Sequence, residues 1–404
     1  MHILVLSYEF PPLGGGGGRV VEGLSRQLLD KGHSVELVTM AWPEAPAIAA
    51  EANLTLHPVR CLRLRPDRCS AFELALYLLP ALWVTWRLIR QRRFDACHAH
   101  FILPDALVFY LLRQLGGPPF LITAHGSDVP GYNPDRFKLL HRLLAPLWRR
   151  VVLAAERVLC PSPTLERLIE SRLPEARTTV VGNGFEPKRL AGASTRHRRI
   201  LVLSRLQPRK GVQHVVEAFS RIETDHELHI AGDGPMLPAI RERAASDPRV
   251  VVHGWIDGED PKLTELLETS SIFVLFSEAE NFPVSLLEAM AAGLAIVTTS
   301  GTGCADVVGD TALLVEPGDT TGLVAALKRL IDEPKLVGQL GEAGRRRMVE
   351  HFDWKTIAER HIELYAEAAA EAADRGQDEP TEIAALPRVA GRASGSGVAR
   401  DQQC

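Results

Sequence analysis

Apolar and polar positions alternate in blocks along this chain. Residues 2–7 (HILVLS) are a short, nearly continuous apolar run, the length of a buried strand. A segment with helical spacing follows, then a second apolar run at 34–40. In the first half the strand candidates are 2–7, 34–40, 54–64, 94–100, 119–125, 157–160 and 178–182, with helical patterns in most gaps. Such alternation predicts parallel sheets covered by helices. Residues 183–199 are polar and irregular and read as a linker. The same grammar then restarts, with strands at 198–205, 227–235, 248–255, 271–277 and 294–300.

The expected fold class is therefore α/β, with two Rossmann-like doubly wound domains facing across a cleft. The expected boundaries are 1–185 and 186–352, with a terminal helix at 353–372. Residues 373–404 have few large apolar side chains and many Gly, Pro, Ser and charges, the composition of a disordered tail. Ligands of doubly wound sheets bind outside the carboxyl ends of the strands, so the cleft between two such domains is the natural site.

Composition narrows the class. The chain has 404 residues, 46% hydrophobic and 24% charged, enough for two ordinary domains. A formal net charge of -4 argues against a general nucleic-acid partner. The six cysteines are scattered, form no Cys-x-x-Cys and have no zinc-like spacing with histidine, which fits a reducing, cytoplasmic compartment. The N-terminus lacks the basic start and cleavage site of a signal peptide. Residues 74–86 tempt a transmembrane reading, but the run is shorter than the roughly 20 residues a span needs and is interrupted by Pro80. Arg87, Arg90, Arg92 and Arg93 follow it, and 138–150 repeats the mix. A buried helix is the plain reading; a helix resting on a membrane surface is the sharper one.

Three motifs carry chemistry. Gly14 to Gly18 lie between the first strand and a helix, where bare backbone and helix N–H groups can approach a phosphate. The alternative is a flexible loop. A dinucleotide-dependent dehydrogenase is disfavoured, because no acid ends the second strand and seven residues precede the run proper. Second, Arg205, Arg209 and Lys210 follow a strand and precede a helix, an arrangement suited to a diphosphate. Third, in 277–297 Glu288 is set in an otherwise apolar helix, and Glu280 lies in the loop before it. A carboxylate in such a helix needs a partner, for which a sugar hydroxyl would serve. Pro283 suits the first helical position, and the amides of Asn281, Phe282 and Val284 are expected near the helix start.

Glu280 and Glu288, with EAMAAG following, resemble the acidic pair of the retaining glycosyltransferases of family 4. SRLQPRKG, AGDGP, HGSD (125–128) and GNGFE (182–186) resemble further segments of that family, and the likeness extends over about residues 1–372. It implies the two-domain GT-B fold, with a last helix crossing back to the first domain. It also implies a nucleoside-diphosphate sugar as co-substrate, no cofactor, and a glycan or lipid-linked acceptor. By position, Arg205 and Lys210 would hold the diphosphate and Glu288 the ribose. Glu280 would face the donor sugar with the amides of Asn281, Phe282 and Val284 beyond it. His125 would lie by the reacting carbon, and Gly15 and Gly16 would approach the phosphates from the other domain. The glycine run is unusually long for the family. Asp233 is expected to cap the next helix, Asp128 to orient the HGSD loop, and His98 and His100 either to pack or to face the acceptor. Base selection falls to backbone groups near Gly254 and Trp255. The chain has no Asp-x-Asp, so no metal is expected. An inverting GT-B transferase, a nucleotide-sugar epimerase and a non-catalytic sugar-binding or membrane-scaffold protein remain as alternatives.

Overall fold

The computed structural model describes residues 1–44, 48, 51–66, 69–132, 138–186, 196–258 and 260–378. The first sheet contains β1 (His2–Leu6), β2 (Ser34–Met40), β3 (Leu54–Val59), β4 (Ala96–His100), β5 (Leu121–Thr123), β6 (Arg157–Cys160) and β7 (Thr178–Val180). The second contains β8 (Arg199–Leu203), β9 (Glu227–Ala231), β10 (Val250–Gly254), β11 (Ile272–Leu275), β12 (Ala295–Thr299) and β13 (Ala312–Val315). All their pairings are parallel. The orders are β3-β2-β1-β4-β5-β6-β7 and β10-β9-β8-β11-β12-β13. Both are doubly wound, and each reverses direction beside its first strand, at β1/β4 and at β8/β11. The α/β class with two such sheets is as the alternation of runs requires.

Helices α1 (Gly16–Asp30), α2 (Ala71–Gln91), α3 (Leu107–Arg113), α4 (Lys138–Ala154) and α5 (Pro163–Arg172) belong to the first sheet. Helices α6 (Val212–Ser220), α7 (Leu237–Ala244), α8 (Pro261–Thr269), α9 (Val284–Ala292), α10 (Gly303–Val308), α11 (Thr320–Asp332) and α12 (Pro334–Phe352) belong to the second. Each sheet is apolar on both faces. Leu4, Leu6 and Ile122 pack with Tyr77 and Val151 on one side, while Ile3 and Val5 pack with Val21 and Leu24 on the other.

The last helix, α13 (Trp354–Asp378), returns to the first sheet. Its Ile357, Leu364 and Tyr365 join the cluster of Ile3, Val5 and Leu24. A methyl on Gly23 would fall 2.4 Å from the Trp354 ring, so α1 meets that indole on bare backbone.

Several elements differ from the sequence expectation. The run at 54–64 is a strand only to Val59, because the chain then turns to let the buried Arg63 guanidinium donate to the carbonyls of Arg65 and Pro66. The final helix runs to Asp378, past the expected 372, since AEAAAEAADR has strong helix formers throughout. Of the expected tail, 379–404 lies outside the described residues, as does 187–195 of the expected linker. The apolar 74–86 run belongs to a longer helix. Ser70 and Glu73 start it with a reciprocal capping box. By length and composition α2 is apolar enough to cross a membrane, yet Tyr77, Ala81 and Leu88 along it are buried in the first domain.

Candidate active site

The carboxyl ends of β1, β4, β8 and β11 open on one cavity of about 890 Å³ between the sheets. Its basic corner is the loop after β8. Arg205, Arg209 and Lys210 all line the cavity. The loop is clamped on two sides. The Leu206 amide donates to the Asp233 carbonyl at 2.8 Å, and the Met236 amide donates to the Leu206 carbonyl at 2.9 Å. The Arg209 carbonyl accepts from the Glu278 amide at 2.8 Å and the Ser277 hydroxyl at 3.2 Å. Gly211 ends the loop at φ +68°, and a Cβ there would fall 2.0 Å from the Phe276 carbonyl oxygen. Only glycine permits that approach with that backbone. Asp233 does not cap α7, which starts behind Met236; its carboxylate accepts from the Gly234 amide inside the turn, because the turn ends before the helix begins.

The glycine run faces this loop from the first domain. Gly15 precedes α1, and its amide donates to the Glu9 carboxylate at 3.2 Å. A Cβ on Gly15 would lie 2.7 Å from Nη2 of Arg205, so bare backbone meets guanidinium across the cleft. A Cβ on Gly16 would meet nothing within 4 Å, and one on Gly17 would strike the Phe101 ring at 2.7 Å. The long run thus serves two needs: open backbone at Gly15 and Gly16, and room for an aromatic ring at Gly17.

On the acidic side, the Glu280 carboxylate forms an ion pair with Lys210, both largely buried. The Asn281 side-chain oxygen Oδ1 accepts from the Ser162 hydroxyl at 3.0 Å, a buried bond from one domain to the other. The Phe282 ring packs edge-on against Phe352, with centroids 5.3 Å apart. Pro283 flanks α9, and Val284 is its first helical residue, one position later than expected; the proline backbone is extended, at ψ 117°. Glu280, Asn281, Phe282 and Val284 line the cavity. Glu288 is half-buried one turn further along α9, and the lining on that helix stops at Ser285.

His125 faces these groups from the end of β5. Its Nε2 is hydrogen-bonded to Nδ1 of His100 at 3.2 Å, and its ring lies 4.3 Å from that of Phe101. Burial lowers its pKa to about 3, so the imidazole is neutral. Asp128 takes the amide of His125 at 3.0 Å on one oxygen and that of Ile102 at 2.8 Å on the other. It thereby ties the 125–128 loop to the end of β4. Burial outweighs those amides and pushes the Asp128 carboxyl up to about 6. His98 is a packing residue: its two ring nitrogens bond the Tyr365 and Thr123 hydroxyls, each at 2.8 Å. His100 is buried behind His125, and its Nε2 has no partner among the described residues.

Several lining residues carried no sequence signal. Phe101 adopts φ 83°, unusual for a bulky side chain, and so holds its ring between Gly17 and His125. Tyr132 lines the cavity, and burial followed by the nearby Glu280 charge raises its phenol pKa. Glu9 is recognisable only once the glycine loop folds back on it. Trp255, by contrast named from the sequence, is exposed and lines the cavity, and the Gly254 carbonyl before it accepts from the Gly232 amide at 2.7 Å. Among the described residues, no three His, Cys, Asp or Glu side chains converge as metal ligands would.

Known proteins are similar to this chain in sequence and fold. Residues 14–189 match the family model described as Glycosyltransferase Family 4, and residues 197–333 match that of Glycosyl transferases group 1. The chain is 28% identical to N-acetyl-alpha-D-glucosaminyl L-malate synthase of Bacillus anthracis, covering 88% of this chain and 94% of that one. It is 29% identical to MMP alpha-(1->4)-mannosyltransferase of Mycolicibacterium hassiacum, over 92% and 100%. In three dimensions it is similar to sucrose-phosphate synthase from Thermosynechococcus elongatus, with a TM-score of 0.78 at 22% identity over 92% of this chain and 100% of that one. Anabaena Alr3699/HepE in complex with UDP-glucose superposes with a TM-score of 0.71 at 16% identity, over 93% and 100%.

Proposed function

Because this chain belongs to family 4 of the glycosyltransferases, the group 1 enzymes with the GT-B fold, we propose that it moves a hexose from a nucleoside-diphosphate sugar to an acceptor hydroxyl with retention at the anomeric carbon. The observation that carries this reading is the meeting of Arg205 and bare Gly15 across the cleft, with Lys210 and Glu280 paired beside them. The nucleotide-sugar donor suits that corner. A diphosphate placed there takes charge-assisted bonds from Arg205 and Lys210 and lies before the N-terminus of α1. The base is assigned to the Trp255 end of the cavity and the sugar to the space between Glu280 and His125. Glu288 is assigned to the ribose hydroxyls, with the amides from Asn281 to Val284 next to the sugar.

In the transfer, the bond from the anomeric carbon to the diphosphate oxygen breaks, and the electron pair leaves with the diphosphate. A bond to the acceptor oxygen forms on the same face, and the acceptor proton passes to the departing phosphate. Negative charge grows on the diphosphate, and fixed cations stabilise it without reorganising. Neutral His125 can accept or donate a hydrogen bond at a sugar hydroxyl without adding charge beside the oxocarbenium-like centre. Glu280, ion-paired with Lys210, sits where its negative charge favours that centre.

The place of action is proposed to be the cytoplasmic face of a membrane, held peripherally. Phe72, Leu79, Trp83 and Trp86 of α2 are exposed, with Arg87 and Arg90 stacked over the two indoles at 5.9 and 6.0 Å. Apolar and aromatic side chains with arginines at one end fit an anionic lipid surface.

A screen of nucleoside diphosphates and their sugars by thermal shift tests the reading. One donor family should stabilise the protein by about 2.7 kcal/mol at 100 times its Kd. No stabilisation by any of them would remove the assignment.

A further inference from the structure

Helix α2 is apolar on more than one face. Glu73, Tyr77, Ala81, Thr85 and Leu88 point into the domain, the carboxylate satisfied by the cap. Ala71, Leu74, Ala75 and Leu78, spaced by three and four, line the cavity. Phe72, Leu76, Leu79, Trp83 and Trp86 form a third stripe in solvent, with Leu79 72% exposed. At about 100° per residue the second and third stripes are neighbours. Apolar surface therefore continues around the helix from the cleft to the outside.

The cavity wall goes on through Leu103 and Leu107 and through Leu144 and Leu147 of α4. Beside these, Leu143 is 68% exposed. The leucine and alanine side chains of this wall offer no hydrogen bond to a sugar hydroxyl. Polar groups, His125 and Glu280 among them, line the same cavity. A purely polar acceptor would lose hydration against such a wall and gain nothing for it.

We propose that the acceptor is an amphiphile whose hydrocarbon chain lies along Leu74, Leu78, Leu144 and Leu147, with its hydroxyl-bearing head at His125. This rests on the transferase reading and names the substrate class of the same site. The outer stripe of α2 then meets the lipid surface from which the acceptor comes. Arg87 and Arg90, exposed beyond the apolar residues, complement lipid phosphates there.

The test is calorimetry on the full chain, with the best-binding nucleoside diphosphate present. The probes are methyl, butyl, hexyl and octyl glucoside, each below its micellar limit. Affinity should rise with chain length, by at most about fourfold per methylene, and by at least about tenfold from butyl to octyl. Leu78→Glu should abolish that rise while leaving nucleotide binding intact. Leu79→Glu, on the outer stripe, should preserve the rise. Octyl glucoside binding no better than methyl glucoside, no binding of octyl glucoside, or an unchanged rise in Leu78→Glu would each overturn the proposal. The nucleotide titration in the same experiment reads the transferase reading separately: if nucleotide binds and chain length has no effect, only the amphiphile inference fails.

Discussion

At the scale of single residues, the cationic corner is the feature on which the proposed donor binding depends. Arg205 reaches the Gly15 backbone across the cleft, and its loop is fixed by main-chain bonds rather than by its own side chain. Arg205→Ala should therefore leave the fold intact and lower kcat/KM by about tenfold to a hundredfold, the loss of one charge-assisted bond. Steady-state kinetics beside a thermal melt would check this, and wild-type kcat/KM would discard the role. The charged candidates were legible because their residue types and spacing are unusual: cations after a strand, and a carboxylate in an apolar helix. Phe101, Tyr132, Glu9 and Ser162 were not. Ser162 gains its place from Asn281 and Phe101 from Gly17, both far along the chain, and Glu9 from a loop that folds back on it. A positive φ at Phe101 has no local sequence mark. Glu288 was legible as a residue needing a partner, but its distance from the cavity lining was not, because helix periodicity gives a face and not a depth.

At the scale of elements, the strands were legible wherever apolar runs are bounded by polar turns, as in β1, β2 and β11. The run after β3 misled, since LRLR at 62–65 alternates like a strand but Arg63 turns inward to backbone carbonyls. Helix α13 was visible as a helix, yet its docking chemistry was not. Its His361 is buried, donates to the Ile357 carbonyl at 2.8 Å, and sits 5.8 Å from the His98 ring. Burial first, then the neighbouring Arg360 charge, lowers its pKa to about 4 against the backbone bond that raises it. A histidine whose folded pKa lies below the unfolded value of about 6.5 stabilises the fold above that value. That contribution is lost as pH falls from about 6.5 towards 4, and His98 and His100, also lowered by burial, act in the same direction. The melting temperature should therefore drop between pH 7 and 4.5. His361→Gln should drop less over the same interval, by up to about 3 kcal/mol of stability. Equal drops in the two proteins would remove His361 as a source.

At the scale of the whole molecule, two sheets of the same winding bring four strand ends to one cavity, and α13 ties the second domain back to the first. The doubled architecture was legible because the second half restarts the alternation of the first. The domain-to-domain bonds, Ser162 with Asn281 and the Thr164 amide with Asp306, join residues more than a hundred positions apart and leave no local mark in the sequence. The exposed stripe of α2 and its arginines make a further property testable on the intact protein. Sedimentation with phosphatidylglycerol vesicles should pull the protein down at low salt and lose it as salt rises past about 0.15 M, where the Debye length is about 8 Å. Trp83→Ala with Trp86→Ala should weaken binding at every salt concentration. No binding at low salt would leave α2 as a helix of the domain only.

The most direct test of the donor site separates Glu280 from Glu288. Glu280 pairs with Lys210 in the part of the cavity proposed for the sugar, while Glu288 lies a turn along α9 and is proposed to bind the ribose. Glu288→Gln should weaken binding of the free nucleoside diphosphate and of the intact donor alike. Glu280→Gln should leave free nucleotide binding unchanged or slightly tighter, because Lys210 is released to the diphosphate, and should mainly lower kcat. Calorimetry with the free nucleotide beside steady-state rates for both variants decides it. Separate failures of this kind would establish a nucleotide-sugar site, whereas normal nucleotide binding and normal turnover in both variants would contradict it.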